Sequence, residues 1–506
     1  MNKLIPPYTG KLTPLLASAE RAAELKQAAR DLVSLDLDHR QTAELGMLIS
    51  GAYSPLTGYM LRADYDSVAA TMRLRDGRLW PVPITLEAPE KIGAALAPGQ
   101  RIALRDPEGF MLALLTVGEV WAADIGRLCI GGAIEGLALP QHHDFTALRL
   151  SPEEMRGQFV RRGWHRVLAY QPEGALFSAQ YAFIVETALK HEVNILLHPV
   201  AGEIPADEAE YFAHIHGYQA VLPRFPAAST LLALLPLPPH GAGLRQALLK
   251  AIVARNYGCT HVIMEGVSEA ALQPYHETVG VQLISLEEQS RLTSQELHRR
   301  LDLGLEMPGE VSFPEVIAAL RRAYPPRHAQ GFCVFLTGLS GAGKSTIAKA
   351  LMARLLEIGG RQVTLLDGDI VRKNLSSELG FSHAHRDLNV RRIGYVASEI
   401  VKHRGVAICA PIAPYQATRQ DVRHIIEQYG GFFEVHVATP IEVCESRDRK
   451  GLYAKARAGL VKEFTGVSDP YEVPPTPELA IDTSDIGVDE AVQRILLKLE
   501  REGYLK

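Results

Sequence analysis

After about residue 150 the chain alternates short continuous apolar runs with longer stretches in which apolar residues recur every three to four positions. The runs at 167–170 (VLAY), 194–197 (NILL) and 261–264 (HVIM) predict buried strands, and the stretches between them predict amphipathic helices. That alternation implies a parallel sheet in an α/β domain. Before it, up to about residue 140, runs such as 79–86 (LWPVPITL) and 111–117 (MLALLTV) are punctuated by Gly, Pro and Asp turns, which predicts a mixed, β-rich domain. A helical stretch over 294–305 leads to 324–328 (YPPRH), whose two prolines predict a linker. Beyond the linker, 333–336 (CVFL), 362–366 (QVTLL), 405–410 (GVAICA) and 432–437 (FFEVHV) resume the strand and helix alternation. The expected organisation is therefore residues 1–145, 146–290, a small helical segment with linker at 291–329, and 330–506.

A chain of 506 residues exceeds what one core serves, and 47% hydrophobic with 22% charged residues is a globular composition. The net charge of −5 creates no global field for nucleic acid or an anionic membrane, so neither is expected as a partner. The start, MNKLIPPYTGK, lacks an apolar signal segment, which makes the cytoplasm the default location. The uncharged stretch between Arg224 and Arg245 is broken by Pro226, Pro236, Pro238 and Pro239 and does not read as a membrane span. Cys129, Cys259, Cys333, Cys409 and Cys444 are scattered without C-x-x-C spacing and read as reduced thiols. His198 and His261, at strand ends, read as structural, and His142-His143-Asp144 as a loop.

The sharpest chemical signal is 338–345 (GLSGAGKS), a complete G-x-x-x-x-G-K-[ST] phosphate loop between a predicted strand and a helix. In that setting the backbone of Gly338, Ser340, Gly341, Ala342 and Gly343 cradles phosphates with Thr346 in the first helical turn. Lys344 reaches the β- and γ-phosphates of ATP, and Ser345 ligates Mg²⁺. The strand at 362–366 ends in Asp367-Gly368-Asp369, where one carboxylate can hold Mg²⁺ through water and the other accept a hydroxyl proton. Arg372, Phe381, Arg386, Asn389, Arg391 and Arg392 follow, a set suited to an anionic, nucleotide-like acceptor. Arg447, in the charged segment 444–451, stands where a lid closes over the donor and can neutralise the transferring phosphoryl group.

The segments LDGDIVR, LGFSHAHRDLNVRR, PIAPY, CESRDRKGLYAKARAG and KEFTGVSDPYEVP make residues 330–506 resemble adenylyl-sulfate (APS) kinase, which phosphorylates the 3′-hydroxyl of adenosine 5′-phosphosulfate. The resemblance implies a P-loop kinase fold in which Asp369 is the base and Asp369, Arg372, Phe381, Arg386, Asn389, Ile412, Lys462 and Phe464 hold APS. Phe381 and Phe464 would sandwich the adenine, and Ser345 and Asp367 would serve the metal. His385, Ala413 and Gln416 depart from the family's commoner residues, and Ala413, lacking a hydroxyl, excludes a phosphoenzyme at that position. Direct in-line transfer is then the expected route. A kinase for another small acceptor, such as a sugar or shikimate, fits the phosphate loop but not the two phenylalanines or the arginine-rich segment.

Residues 4 to about 315 resemble ATP sulfurylase (sulfate adenylyltransferase), which makes APS from ATP and sulfate, on SPLTGYM (54–60), LWPVPITL, GGAIEGLALP (131–140), FVRRGW (159–164), LLHP (196–199) and ARNYGCTH (254–261). The resemblance implies a PUA-like N-terminal domain and a Rossmann-like nucleotidylyltransferase domain. The family's Q-x-R-N-P-x-H-x-x-H motif is reduced here to Gln171, with Glu173, Phe177 and Gln180 in place of its Arg and two His. Its G-R-D-H-A-G motif reads EGVSEA (265–270). Loss of those cations predicts an inactive, structural first half; the alternative is a bifunctional enzyme making the 3′-phosphorylated product (PAPS) from ATP and sulfate. Both related families form homo-oligomers, so a dimer or a hexamer is expected.

Overall fold

The computed structural model describes residues 3–122, 126–202, 208–286, 294–308, 311–448, 451–461 and 463–506, without the side chains of residues 208, 294, 295 and 369. The chain divides into two compact units, Met1–Leu297 with Glu306–Tyr324, and His298–Leu305 with Pro325–Lys506.

The first unit holds two sheets. One is a mostly antiparallel sheet in the order Ser34–Asp36, Arg101–Arg105, Met111–Ala122, Arg127–Gly136, Gly58–Tyr59, with Leu86–Pro89 also pairing along Arg127–Gly136. The run at 79–86, expected to be β-rich, contributes only an isolated bridge at Leu79 and the first residue of Leu86–Pro89. Pro81 and Pro83 lack the N–H groups a ladder needs, and the segment crosses the core as extended loop instead.

The other sheet is parallel, in the order Gln282–Leu286, His261–Glu265, Val167–Tyr170, Asn194–Leu197, Thr230–Leu232. Its earliest strand lies in the middle, so the chain runs outward on both sides and leaves a crevice beyond the carboxyl ends. A single hydrophobic core joins the two sheets, running from Leu35, Trp80 and Ile84 through Val167 to Ala251 and Leu283. Fully buried Asn256 ties them polarly: its Nδ2 donates to the carbonyls of Ala52 (2.9 Å) and Ser54 (3.0 Å), and its Oδ1 accepts from the Tyr8 N–H (3.0 Å).

His198, just beyond Asn194–Leu197, is wholly buried with its ring edge-on to Tyr257 (4.8 Å between centroids). Burial pushes its pKa from the usual 6.5 down to about 3. The folded protein thus keeps this ring neutral while the unfolded chain protonates it below about 6.5. Its contribution to stability is complete above that pH and is lost as pH falls toward 3, by about 1.4 kcal/mol per pH unit. Urea unfolding between pH 6 and 4 is expected to show a shallower loss of stability for His198→Gln than for the wild type. Equal slopes would contradict the assignment.

The second unit is a five-stranded, wholly parallel sheet in the order Val363–Asp367, Val406–Ala410, Phe332–Thr337, Gly431–Val437, Leu479–Ile481. Every residue of Phe332–Thr337, Val406–Ala410 and Gly431–Val437 is buried, the reason these strands read as unbroken apolar runs. One core packs Lys344–Ile358 and Val488–Arg501 on one face, and another packs His383–Lys402 and Gln416–Glu427 on the other. Phe332–Thr337, the earliest strand, is central, so the loop that follows it opens onto the crevice where the strand order reverses. Among the described residues no helix is long and apolar enough to cross a membrane.

Candidate functional site

The phosphate loop leaves the carboxyl end of Phe332–Thr337 and enters the helix Lys344–Ile358 at Gly343. Glycine is required by conformation and by space: φ is +146° at Gly338 and +79° at Gly341, and a Cβ there would lie 2.5 Å from the Val437 carbonyl oxygen and 2.9 Å from that of Cys444. The loop's shape is fixed from behind. Thr439 and Thr483 Oγ1 donate to the Ala342 carbonyl (3.2 and 3.1 Å), and Tyr453 OH donates to that of Ser340 (2.9 Å).

Lys344, 7% exposed, folds back so that its ammonium donates to the carbonyls of Gly338 (2.9 Å) and Leu339 (2.8 Å). Ser345 and Thr346 are exposed in the first helical turn, so the loop's N–H groups and two hydroxyls converge at one helix N-terminus. Arg447 ends the helix Ile441–Arg447 and donates to Thr483 Oγ1 (2.8 Å) and the Thr483 carbonyl (2.7 Å), which places its guanidinium against the residue that buttresses Ala342.

Two strands away, Asp367 ends Val363–Asp367 with 8% exposure, and Gly368–Leu375 begins at once, carrying Asp369 and Arg372. The side chain of Asp369 and all of Lys462 lie outside the described residues. Ile412 adjoins the loop directly: its carbonyl accepts from Thr337 Oγ1 (2.7 Å) and the Gly338 N–H (3.4 Å). Ala413 beside it holds φ at +47°, a left-handed conformation for a residue with a Cβ, and its carbonyl is held by Arg419 Nη1 (2.8 Å).

The remaining residues named from sequence gather around Arg386. Arg372 packs its guanidinium over the Phe381 ring (4.5 Å) and donates to the Gly380 carbonyl (3.0 Å), and Phe381 itself is 69% exposed. Arg386 is nearly buried and binds the Phe381 carbonyl, the Glu463 carbonyl, Thr465 and Asp469. Phe464 packs its ring against Tyr453 (5.0 Å, near perpendicular). Asn389 is buried with its Oδ1 lacking a hydrogen-bond partner, a polar atom that a ligand N–H or O–H would satisfy.

Thr337, Thr439, Thr483, Thr465, Tyr415 and Asp469 complete this architecture and were not among the site residues expected from sequence. Tyr415 OH donates to Asp469 Oδ2 (2.7 Å), and burial, followed by that carboxylate, pushes its pKa up to about 12. Asp469 and Tyr415 do stand inside the SDPY and PIAPY segments, but no spacing rule links either of them to an arginine on another element.

At the corresponding edge of the first unit's parallel sheet the chemistry is different. Glu173 Oε1 pairs with Lys250 Nζ (2.6 Å), which also donates to the Gln171 carbonyl (3.2 Å). Glu265 Oε1 accepts from Tyr170 OH (2.7 Å) and Gln180 Nε2 (2.6 Å), while Gln180 Oε1 caps the Phe177 N–H (2.8 Å) at the start of Ser178–His191. Each carboxylate here is neutralised or hydrogen-bonded by a neighbour within the same site.

Three stretches of the chain match models of known protein families. Residues 5–130 match the model of a PUA-like domain, 146–285 that of ATP-sulfurylase and 330–482 that of adenylylsulphate kinase. The sulfate adenylyltransferases of Phaeosphaeria nodorum and Aspergillus fumigatus are 38% and 37% identical to it, each match covering 99% of this chain and 99% of the relative. A solved hexameric APS kinase from Thiobacillus denitrificans is 50% identical, with a TM-score of 0.88 and 100% of both chains covered.

Proposed function

Because the chain belongs to the sulfate adenylyltransferase family, with PUA-like, ATP-sulfurylase and APS kinase domains in one polypeptide, we infer that it transfers the γ-phosphoryl group of ATP to the 3′-hydroxyl of APS. The observation that carries this reading is a complete phosphate loop and an arginine-braced, aromatic acceptor lip on the same edge of the second sheet. Backbone N–H groups of residues 338–346 and the Lys344 ammonium hold the donor phosphates, and Arg447 offsets charge on the transferring group. Phe381 and Phe464 take the adenine, with Arg372, Arg386, Asn389, Ile412 and Lys462 around the rest of APS. Asp369 accepts the 3′-hydroxyl proton, and oxygen attacks phosphorus in line with the departing ADP.

The Ser345 hydroxyl and the Asp367 carboxylate are hard oxygen donors of the kind Mg²⁺ takes, and the ion would neutralise charge between the phosphates. The protein works in the cytoplasm as a homo-oligomer, a dimer or a hexamer, supported by the hexameric state of the 50% identical kinase.

The first half, on this reading, is catalytically retired and structural. Where the sulfurylase motif brings an arginine to sulfate, Glu173 brings a carboxylate already paired with Lys250, and Glu265 is bridged to Tyr170 and Gln180. The bifunctional alternative is favoured by one finding, that relatives matched over their full length are sulfate adenylyltransferases.

Purified protein given ATP, APS and Mg²⁺ is expected to form PAPS and ADP in equal amounts. A panel including sugars and shikimate checks the acceptor, and one of these outcompeting APS would overturn the reading.

A further inference from the structure

We propose that Asp469 and Tyr415 are positioning residues that lock Arg386 as a brace, and that this brace sets the gap between Phe381 and Phe464 in which the acceptor's base is held. The inference rests on the APS kinase reading and deepens it, since it assigns to Arg386 a task other than neutralising the acceptor's anionic groups.

Arg386 has five N–H donors, and hydrogen bonds to protein engage four of them. Nε donates to the Phe381 carbonyl (2.7 Å), Nη2 to the Glu463 carbonyl (2.5 Å), and Nη1 to Thr465 Oγ1 (2.8 Å) and Asp469 Oδ2 (2.5 Å). Thus one rigid guanidinium plane grips the peptide of one aromatic residue and both chain neighbours of the other. The separation of the two rings is written into its fork geometry, which a flexible lysine would not reproduce.

Asp469 does two things to that brace. Its Oδ2 neutralises the buried guanidinium and simultaneously accepts from Tyr415 OH (2.7 Å), anchoring the assembly to the turn that follows Val406–Ala410. It also orders the segment bearing Phe464: the Asp469 N–H donates to the Phe464 carbonyl (3.1 Å), the Gly466 N–H to the Asp469 carbonyl (2.7 Å), and Ser468 Oγ accepts from the Phe464 N–H (2.9 Å). With its charge paired and its donors largely used, Arg386 acts on the acceptor through the rings it spaces.

The test is a double-mutant cycle on the full chain, begun only after the wild type has been shown to phosphorylate APS, so that failure of the functional reading is seen separately. Asp469→Asn keeps the shape and removes the charge. It is expected to raise KM for APS on the order of 10- to 100-fold, the scale of a misplacement of about 1 Å, with KM for ATP little changed. Combined with Phe464→Leu, its effect on APS should be far less than additive, because both act through the same ring spacing. Tyr415→Phe, which removes only a hydroxyl, should shift KM for APS in the same direction by a smaller factor and serves if Asp469→Asn does not fold. An unchanged KM for APS in the variant that folds, additive effects with Phe464→Leu, or a parallel rise in both KM values would overturn the proposal.

Discussion

Lys344→Ala is expected to lower the rate of phosphoryl transfer to APS on the order of 1,000-fold or more, with the fold retained. The lysine ammonium sits over the loop, against the carbonyls of Gly338 and Leu339, where donor phosphates bring negative charge. Arg447 is a further cation near the loop, and its guanidinium is engaged by Thr483 Oγ1 and the Thr483 carbonyl, so it does not substitute without leaving that residue. Truncation removes a donor from the Gly338 carbonyl, while that of Leu339 keeps the Ala342 N–H (3.2 Å), a cost of about 1–3 kcal/mol, which the buried strands of the unit absorb. ADP release under saturating APS, with thermal unfolding of the same sample, checks both halves of the statement. A variant retaining a tenth of the wild-type rate would move the main electrostatic contribution away from Lys344.

The second large expected effect concerns the sulfurylase reaction. Given APS, pyrophosphate and Mg²⁺, the protein is expected to form ATP at a rate at least about 10⁴-fold below its own kinase rate, because loss of several groups that stabilise developing charge costs many powers of ten. Displacing pyrophosphate, or its reversal, needs cations around a pentacoordinate phosphorus. The edge of the first sheet offers instead Glu173 held by Lys250, Glu265 held by Tyr170 and Gln180, and Phe177 at a helix start. The kinase activity of the same preparation controls for folding. Clear ATP formation would make the enzyme bifunctional and place the chemistry on residues other than these.

Much of this was legible in the sequence, for identifiable physical reasons. A phosphate loop announces itself because glycines with positive φ, a lysine and a hydroxyl must follow one another along the chain, and Gly338, Gly341 and Gly343 show that conformation. Strands such as Phe332–Thr337 were readable because both faces are covered and no polar alternation interrupts them. The run at 79–86 misled because its residues are apolar enough for a strand while Pro81 and Pro83 cannot join a ladder. The brace at Arg386 was half visible: the arginine stood out, but Asp469 is 83 positions away, and nothing local marks such a partner. Periodicity shows that a face is buried, not against what, so the single core joining the first unit's two sheets could not be read either.

That shared core separates two kinds of selection. Residues that keep the first half folded, among them Trp80, Asn256 and the helix Leu244–Tyr257, lie inside, whereas the positions that depart from the sulfurylase motif, Glu173, Phe177 and Gln180, sit beyond the carboxyl end of Val167–Tyr170. The carboxylates at the rim are satisfied locally, Glu173 by Lys250 on that same helix and Glu265 by Tyr170 and Gln180. A lineage can therefore drift out of one reaction without passing through an unfolded ancestor.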